Sequence, residues 1–380
     1  MNQLDAENQS AILHLLSRVG PLSRSEIAPM LGISAPTATT QVRRLLDAGF
    51  LTEMHPTPSN GGRPKKPLKI DDAAAYTIGI DIGVDESTLV LSSLSGKILK
   101  ESRCHYSSLD EMPSTIAVAV SSLESDLPPG INCLGGAASV SGTITPNAKD
   151  VSLSVVHHRA NWPLARLLSL ATGHSFVLVN DVQNFALWNL SFEPTRPQSF
   201  LLVSLDIGVG AAIVHDNRLL HGEKSTSTEF GHVSVDPSGP PCSCGNSGCL
   251  QVFAGVESFI QLLSHTTSHP LDSMQDARDF LDSQPRVALE KVEKVGSLIG
   301  RSVGATCTLL GLSEVLIGGK LTQVWPYLES GFTSQLTSNT STLQQVPTVR
   351  HVDLCSLNLA RAASDYALVR HFSETKSDSI

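Results

Sequence analysis

The chain has 380 residues, 41% of them hydrophobic, with 36 Asp and Glu against 27 Lys and Arg, a formal net charge of −9. That length accommodates two or three domains with ample core, and no run approaches the roughly 18–20 apolar residues of a membrane span. The acidic balance argues against wholesale nucleic-acid binding, but residues 1–70 carry eight Lys and Arg against five Asp and Glu, a net of +3, leaving −12 for residues 71–380. A basic head on an acidic body suggests that only the head meets phosphate. Residues 1–9 are polar and lack a signal-type apolar segment. Cys104, Cys133, Cys307 and Cys355 are scattered singly, as in a reducing, cytoplasmic compartment.

In the head, residues 9–18 hold Ile12, Leu13, Leu15 and Leu16, with Val19 following, as a helical stripe. Beyond Pro21, Ser23 and Glu26 have capping-box spacing and open a short second helix that ends at Gly32. Ser34 caps a third helix, with Pro36 in its first turn and Gly49 just past its end. Ala38, Val42 and Leu45 would pack inward. Thr37, Thr40, Gln41 and Arg44 form a second stripe suited to base edges and phosphates in a major groove. A solvated polar face is the plainer alternative, but a short helix and tight turn before it make the helix-turn-helix arrangement. Residues 50–54 and 68–70 read as strands around a basic loop. In that wing Arg63 suits a narrow minor groove, with Lys65 beside it; an interdomain linker is the other reading.

In the body, residues 76–83 form a β-branched run closing on Asp81 and Gly83, and residues 89–91 and 97–99 continue as strands. Strand, Asp-x-Gly and hairpin is how an actin-like ATPase lobe opens. Residues 176–181 read as a buried strand ending in Asn180 and Asp181, with a helix from about Val182. Residues 200–214 form a strand, glycine turn and strand. Residues 287–310 form a long helix, with Gly296, Gly300 and Gly304 spaced for close packing at a lobe interface. A strand ending in Gly318 and Gly319 follows. Trp162 and Trp188 read as core, residues 334–342 as a surface segment and residues 374–380 as a frayed tail.

Between these elements, Glu229 and His232 precede Cys242, Cys244 and Cys249. One imidazole and three thiols within eighteen residues can close a tetrahedral structural zinc site, and Gly245 and Gly248 let the backbone wrap the ion. A disulfide with a spare thiol would require a secreted chain.

Together the head, the Gly-Arg-Pro wing, the Asp-x-Gly opening and the Cys-x-Cys-Gly-x-x-Gly-Cys loop resemble the ROK family (repressors, open reading frames, kinases), in its transcriptional-regulator branch. The resemblance implies a winged helix-turn-helix over residues 1–70. It implies an α/β actin-like body of sugar-kinase, ribonuclease H-like type over residues 71–380, with a structural zinc loop. The first lobe spans about 71–180 plus the C-terminal helix 355–380, and the second about 181–354. By the same resemblance Asn180, Asp181, Glu229 and His232 are sugar ligands, Asp181 standing where kinases hold their base. His232, Cys242, Cys244 and Cys249 hold Zn²⁺. Gly142 falls near the sugar, without the proline the family places before it, and Gln251 replaces a sugar-binding Glu.

The departures cluster where a nucleotide would sit. By the same resemblance, Asp85 and Ile207 stand where ROK kinases carry Thr hydroxyl donors, and Val84 and Asp206 replace glycines. A carboxylate about 4 Å from one phosphate charge costs roughly 4 kcal/mol at an effective dielectric near 20, so kinase activity is expected to be lost. The sequence is therefore read as a sugar- or sugar-phosphate-responsive repressor of carbohydrate genes, a homodimer or homotetramer on double-stranded operator DNA. A sugar kinase with an accessory head, and a regulator controlled by a partner protein at the zinc loop, are the competing readings.

Overall fold

The computed structural model describes residues 3–55, 65–192, 197–222, 229–267, 270–283 and 286–374. The head comprises α1 (Gln3–Val19), α2 (Arg24–Leu31), α3 (Ala35–Asp47), and the antiparallel pair β1 (Leu51–Glu53) and β2 (Leu68–Ile70). The capping box forms: the Glu26 carboxylate accepts the Ser23 backbone N–H at 2.9 Å and its hydroxyl at 2.7 Å. Gly32 ends α2 in the left-handed region at φ +64°. Ser34 caps α3, its hydroxyl accepting the Thr37 N–H at 3.2 Å. The wing tip, including Arg63, lies outside the described residues.

The body holds two sheets of five strands each. In chain order its first part runs β3 (Ala75–Ile82), β4 (Glu86–Ser93), β5 (Ile98–His105), α4 (Met112–Ser125), β6 (Asn132–Val140), β7 (Thr143–Ile144), β8 (Val151–Ser154), β9 (Arg159–Trp162), α5 (Leu164–Thr172) and β10 (Phe176–Asn180). The second part runs α6 (Asp181–Phe192), β11 (Phe200–Leu205), β12 (Val209–His215), β13 (Arg218–Leu219), α7 (Gln251–Ala254), α8 (Val256–Ser264), α9 (Met274–Asp282), α10 (Arg286–Leu310), β14 (Glu314–Gly318), α11 (Trp325–Asn339), β15 (Thr348–His351) and α12 (Ser356–Glu374). The sheet orders are β10-β6-β3-β4-β5 and β13-β12-β11-β14-β15. In each, an antiparallel meander is followed by two parallel additions beside its first strand. The two lobes thus repeat one topology, and β7, β8 and β9 form a small separate sheet.

Close backbone approach fixes both lobes. A Cβ on Gly79 of β3 would stand 2.0 Å from the Ala360 carbonyl oxygen, so α12 lies directly on the first sheet. In the second lobe, Cβ atoms on Gly296 and Gly300 would stand 2.1 and 2.2 Å from the Leu328 and Phe332 oxygens. These glycines therefore seat α10 on α11 within one lobe, which corrects the lobe-interface expectation. Residues 334–339 of the expected surface segment belong to α11, where Leu336 is buried.

Head and body share a core. Ile12, Leu16, Leu45 and Leu51 of the head pack with Ala75, Leu94, Leu368 and Phe372 of the body. His14 Nε2 lies 2.7 Å from Asp365 Oδ1 on α12, with side chains only 15% and 10% exposed, and the Ser17 hydroxyl donates to the Ser95 carbonyl. Burial pulls the His14 pKa down and Arg18 adds to that, but the charge and hydrogen bond of Asp365 outweigh both and raise it above the ordinary 6.5. A raised folded-state pKa contributes stability that is full below about 6.5 and is lost as pH rises through the raised value. Asp365→Asn is expected to remove about 2 kcal/mol of protection from α1 at pH 6 and little at pH 9, read by amide hydrogen exchange. An equal loss at both pH values would refute the pairing as a charge effect.

Candidate functional site

The C-terminal ends of the first lobe's parallel strands open onto a cleft. Asn180 closes β10, and Asp181 begins α6. The Asn180 amide donates to the Gly142 carbonyl at 3.1 Å, and its oxygen accepts the Gln183 N–H at 3.1 Å. Gly142 sits at φ +143°, and a Cβ there would stand 2.7 Å from the Leu153 oxygen, so the position requires glycine. The next residue, Thr143, reaches Glu229 at 3.5 Å, and Glu229 lies 3.9 Å from His232 Nε2. The structure therefore brings Gly142, Asn180, Glu229 and His232 onto one contact path, with Asp181 beside it.

His232 faces two ways. Its Nδ1 lies 3.5 Å from Cys242 Sγ, while Cys244 and Cys249 sulfurs are 3.6 Å apart. All four ligand atoms fall within 4.8 Å of one another. Bonds of about 2.0–2.3 Å in a tetrahedron give edges of roughly 3.3–3.8 Å, so the Cys₃His cluster can hold a metal. A cation on Nδ1 would leave Nε2 as a donor aimed toward Glu229 and the cleft. Gly248 is obligatory in this loop, since a Cβ there would stand 1.5 Å from the Asp236 oxygen.

The cleft floor is acidic. Burial pushes Asp81 up to about 8; a bond from Ser356 opposes this, the charges of Asp181 and Asp206 add to it, and Lys320 opposes it. Burial likewise raises Asp181 to about 6, against its bond to the Val182 N–H and with the charge of Asp206 adding to the rise. The Asp206 carboxylate accepts the backbone N–H of Ile207 at 2.9 Å and of Lys320 at 3.0 Å, and Lys320 Nζ lies 3.8 Å away. An aspartate thus occupies backbone donors at the glycine pair after β14.

Three residues differ in role from the sequence reading. Gln251, expected on the sugar, spends its amide on the second loop: Oε1 accepts the Val209 N–H at 2.6 Å, and Nε2 donates to the Ile207 oxygen at 2.8 Å. A glutamate could not make both bonds, since it only accepts when ionised. Gln41, expected in the major groove, is buried and donates to Asp5 Oδ1 at 2.6 Å. Arg44 is drawn the same way, to Asp5 Oδ2 at 3.0 Å. The cause is that α1 starts six residues earlier than its apolar stripe, which carries Asp5 against α3. The outward face of α3 shows Pro36, Thr39, Thr40, Arg43 and, beside its ion pair, Arg44. Thr37 is half-buried against the Ser34 cap, and Lys65 is ion-paired with Glu26 at 2.9 Å.

Sequence reasoning also missed His157 and Tyr106. Both meet the Gly83 carbonyl, the Tyr106 hydroxyl donating at 2.7 Å and His157 Nε2 at 3.1 Å. Burial lowers the His157 pKa, which keeps the ring neutral, and Nδ1 contacts the Ser154 hydroxyl at 2.9 Å. No local motif marks either residue; their role arises from β5 and the β8–β9 turn meeting the first loop.

Comparison with known proteins agrees with this architecture. The ROK family profile matches residues 77–361, and the MarR family profile matches residues 6–58. The chain is 26% identical over 339 residues to the DNA-binding transcriptional repressor Mlc of Escherichia coli K12, covering 85% of this chain and 83% of Mlc. It is 24% identical over 377 residues to the N-acetylglucosamine repressor of Escherichia coli O157:H7, covering 96% and 92%. The crystal structure of a ROK family transcriptional regulator, a homolog of the Escherichia coli Mlc protein, superposes with a TM-score of 0.81 at 20% identity over 98% of both chains. With a MarR-type winged-helix head on an actin-like, sugar-kinase-type body matched over three quarters of its length, the chain belongs to the ROK family.

Proposed function

We propose that this chain is a cytoplasmic DNA-binding transcriptional regulator, read as a repressor, whose ROK body senses a sugar or sugar phosphate. The observation that carries the reading is the shared core: the winged-helix head is built onto α12 of the same body that presents Asn180, Asp181, Glu229 and His232. The relatives above are named as repressors, one of them for N-acetylglucosamine. Half-sites on DNA repeat about one helical turn apart, which suits a dimer or tetramer of heads. Ligand closure of the lobes would reset that head spacing. Equal operator affinity with and without every candidate sugar would sink this coupling.

Kinase chemistry fits the cleft poorly. Asp206 satisfies donors beside the glycine pair, so a nucleotide phosphate there meets a carboxylate rather than an N–H. Burial holds Asp81 toward its neutral form, which suits a hydroxyl group better than a phosphate-bound cation.

The zinc-type loop supplies support rather than chemistry. His232, Cys242, Cys244 and Cys249 would hold Zn²⁺, which would fix the imidazole that faces Glu229. Cys244→Ser is expected to lower the zinc content of the purified protein by one ion per chain and expose residues 233–249 to proteolysis. Unchanged zinc content would refute the ligand set.

Thr40 and Arg43, exposed on α3, are the proposed DNA contacts. Thr40→Ala and Arg43→Ala should each weaken operator binding by about 1–3 kcal/mol, measured by fluorescence anisotropy. Wild-type affinity in both variants would remove α3 from the interface.

For the effector, a sugar panel should raise the thermal midpoint by several degrees when one member reaches about 100 times its Kd, worth about 2.7 kcal/mol. Asp181→Asn should abolish that rise. Ionised Asp181 accepts on both oxygens, whereas protonation turns one of them into a donor, so the affinity of a sugar that donates to both should fall as pH drops through about 6. A sugar response that survives Asp181→Asn would remove Asp181 from the site, and no rise with any sugar of the panel would favour control by a partner protein at the loop.

A further inference from the structure

Away from the cleft, at the foot of the first lobe, a second set of soft and hard ligands converges. Glu124 lies in the last turn of α4, Cys133 is the second residue of β6, and His174 sits in the turn between α5 and β10. Their ligand atoms all lie within 4.8 Å of one another, and among the described residues the Cys₃His loop is the only other group of three or more that does so. We propose that Glu124, Cys133 and His174 form a second metal site, for a divalent cation of zinc type, distinct from the cysteine loop.

The donor set selects the ion. A thiolate with an imidazole disfavours Mg²⁺ and Ca²⁺, which take oxygen ligands, and suits zinc. Three protein ligands leave one position for a water or a further hydroxyl. The Tyr76 hydroxyl donates to Glu124 Oε1 at 2.6 Å and supplies the outer hydrogen bond that orients a ligating carboxylate. His174 Nε2 lies 2.6 Å from the same oxygen, shorter than the roughly 3.3 Å edge of a tetrahedral site, so a cation must displace the shared proton and part the two side chains.

The backbone aims the thiol there. Tyr76 pairs with Cys133 but Ile78 pairs with Gly136, so β6 carries one extra residue opposite Thr77. Gly135 occupies this bulge at φ +111°, and its N–H reaches Cys133 Sγ at 3.4 Å. The bulge turns Cys133 toward the lobe core and its neighbour Leu134 toward the core shared with the head. A bound ion would tie α4 and the α5–β10 turn to the start of β6, at the end of the sheet against which the head packs.

The test is zinc stoichiometry of the full chain by elemental analysis, with Co²⁺ substitution as a spectroscopic check. The wild type should hold two ions per chain, Cys133→Ser and His174→Gln one each, and Cys133→Ser combined with Cys244→Ser none. Loss of the single-thiolate site should remove a small part of the sulfur-to-cobalt absorption, and loss of the loop the larger part. His174→Gln can keep a hydrogen bond to Glu124, so its metal content decides the matter if Cys133→Ser fails to fold. Unchanged stoichiometry in Cys133→Ser and His174→Gln would overturn the site and leave a hydrogen-bonded clamp. A single ion lost with Cys133 and kept in Cys244→Ser would uphold this site and reject the loop's.

Discussion

The contact on which the rest of the structure depends is the seating of α12 on β3. Gly79 has no Cβ, and one placed there would stand 2.0 Å from the Ala360 oxygen and 2.5 Å from the Ser364 nitrogen. The helix answers with small residues, Ala360, Ala363, Ser364 and Ala367, and with a 2.8 Å hydrogen bond between the Ser364 and Thr77 hydroxyls. A backbone-to-backbone contact of this kind cannot be relieved by a rotamer change. Any side chain at Gly79 would lift the whole helix. The other faces of α12 hold the head, through Asp365 and Phe372, and the cleft helix α6, through the Leu359 carbonyl and Arg361 over Trp188. One glycine therefore underlies three interfaces.

Charge sets the character of the cleft. Asp81, Asp181 and Asp206 interact with one another, with Lys320 the cation that acts on Asp81. Burial without enough compensation favours the neutral acids. A neutral Asp81 acts as a hydrogen-bonding group more than as a charge, and the raised pKa of Asp181, about 6, weakens its hold on its own charge. Hydroxyl-rich neutral ligands meet such groups at little electrostatic cost. A polyphosphate would add charge to a site that already suppresses its own.

Much of this was legible in the residues because the signals were local. Ser23, Glu26, Gly32 and Ser34 marked the turns of the head, and the apolar strands ending in Asp81, Asn180 and Gly318 marked the lobes. The Cys₃His spacing marked a cluster that the fold does bring together. The misreadings share a different cause. Gln41 and Arg44 sat on the right stripe of an isolated helix, but Asp5, thirty-six residues before Gln41, recruits both. Gln251 had the chemistry of a sugar ligand, yet the turn at residues 207–209 offers it a matched donor and acceptor. His157, Tyr106 and the foot-of-lobe cluster depend on contacts across tens of residues. Periodicity reports a helix's faces; it does not report what another element has already claimed.

The same geometry bounds how strongly a ligand in the cleft can act on the head. Asp181 is the first residue of α6, so a group bound there touches the end of a rigid rod of about 18 Å, at 1.5 Å per residue. Asn184 and Trp188 of that rod meet α12, and α12 meets α1 through His14. Helices pass on displacement without absorbing it, whereas a flexible linker would dissipate it. Between β2 and β3 only residues 71–74 intervene, and the Asp71 N–H is itself bonded to the Phe50 carbonyl. Allosteric couplings are typically 1–3 kcal/mol, and one partly buried ion pair or one aromatic contact spans that range. Breaking or making the α12–head contacts alone is thus enough to give the coupling a repressor needs. A complete switch from 1:99 to 99:1 requires about 5.5 kcal/mol, more than one such contact supplies, so it would have to draw on two or more heads moving together.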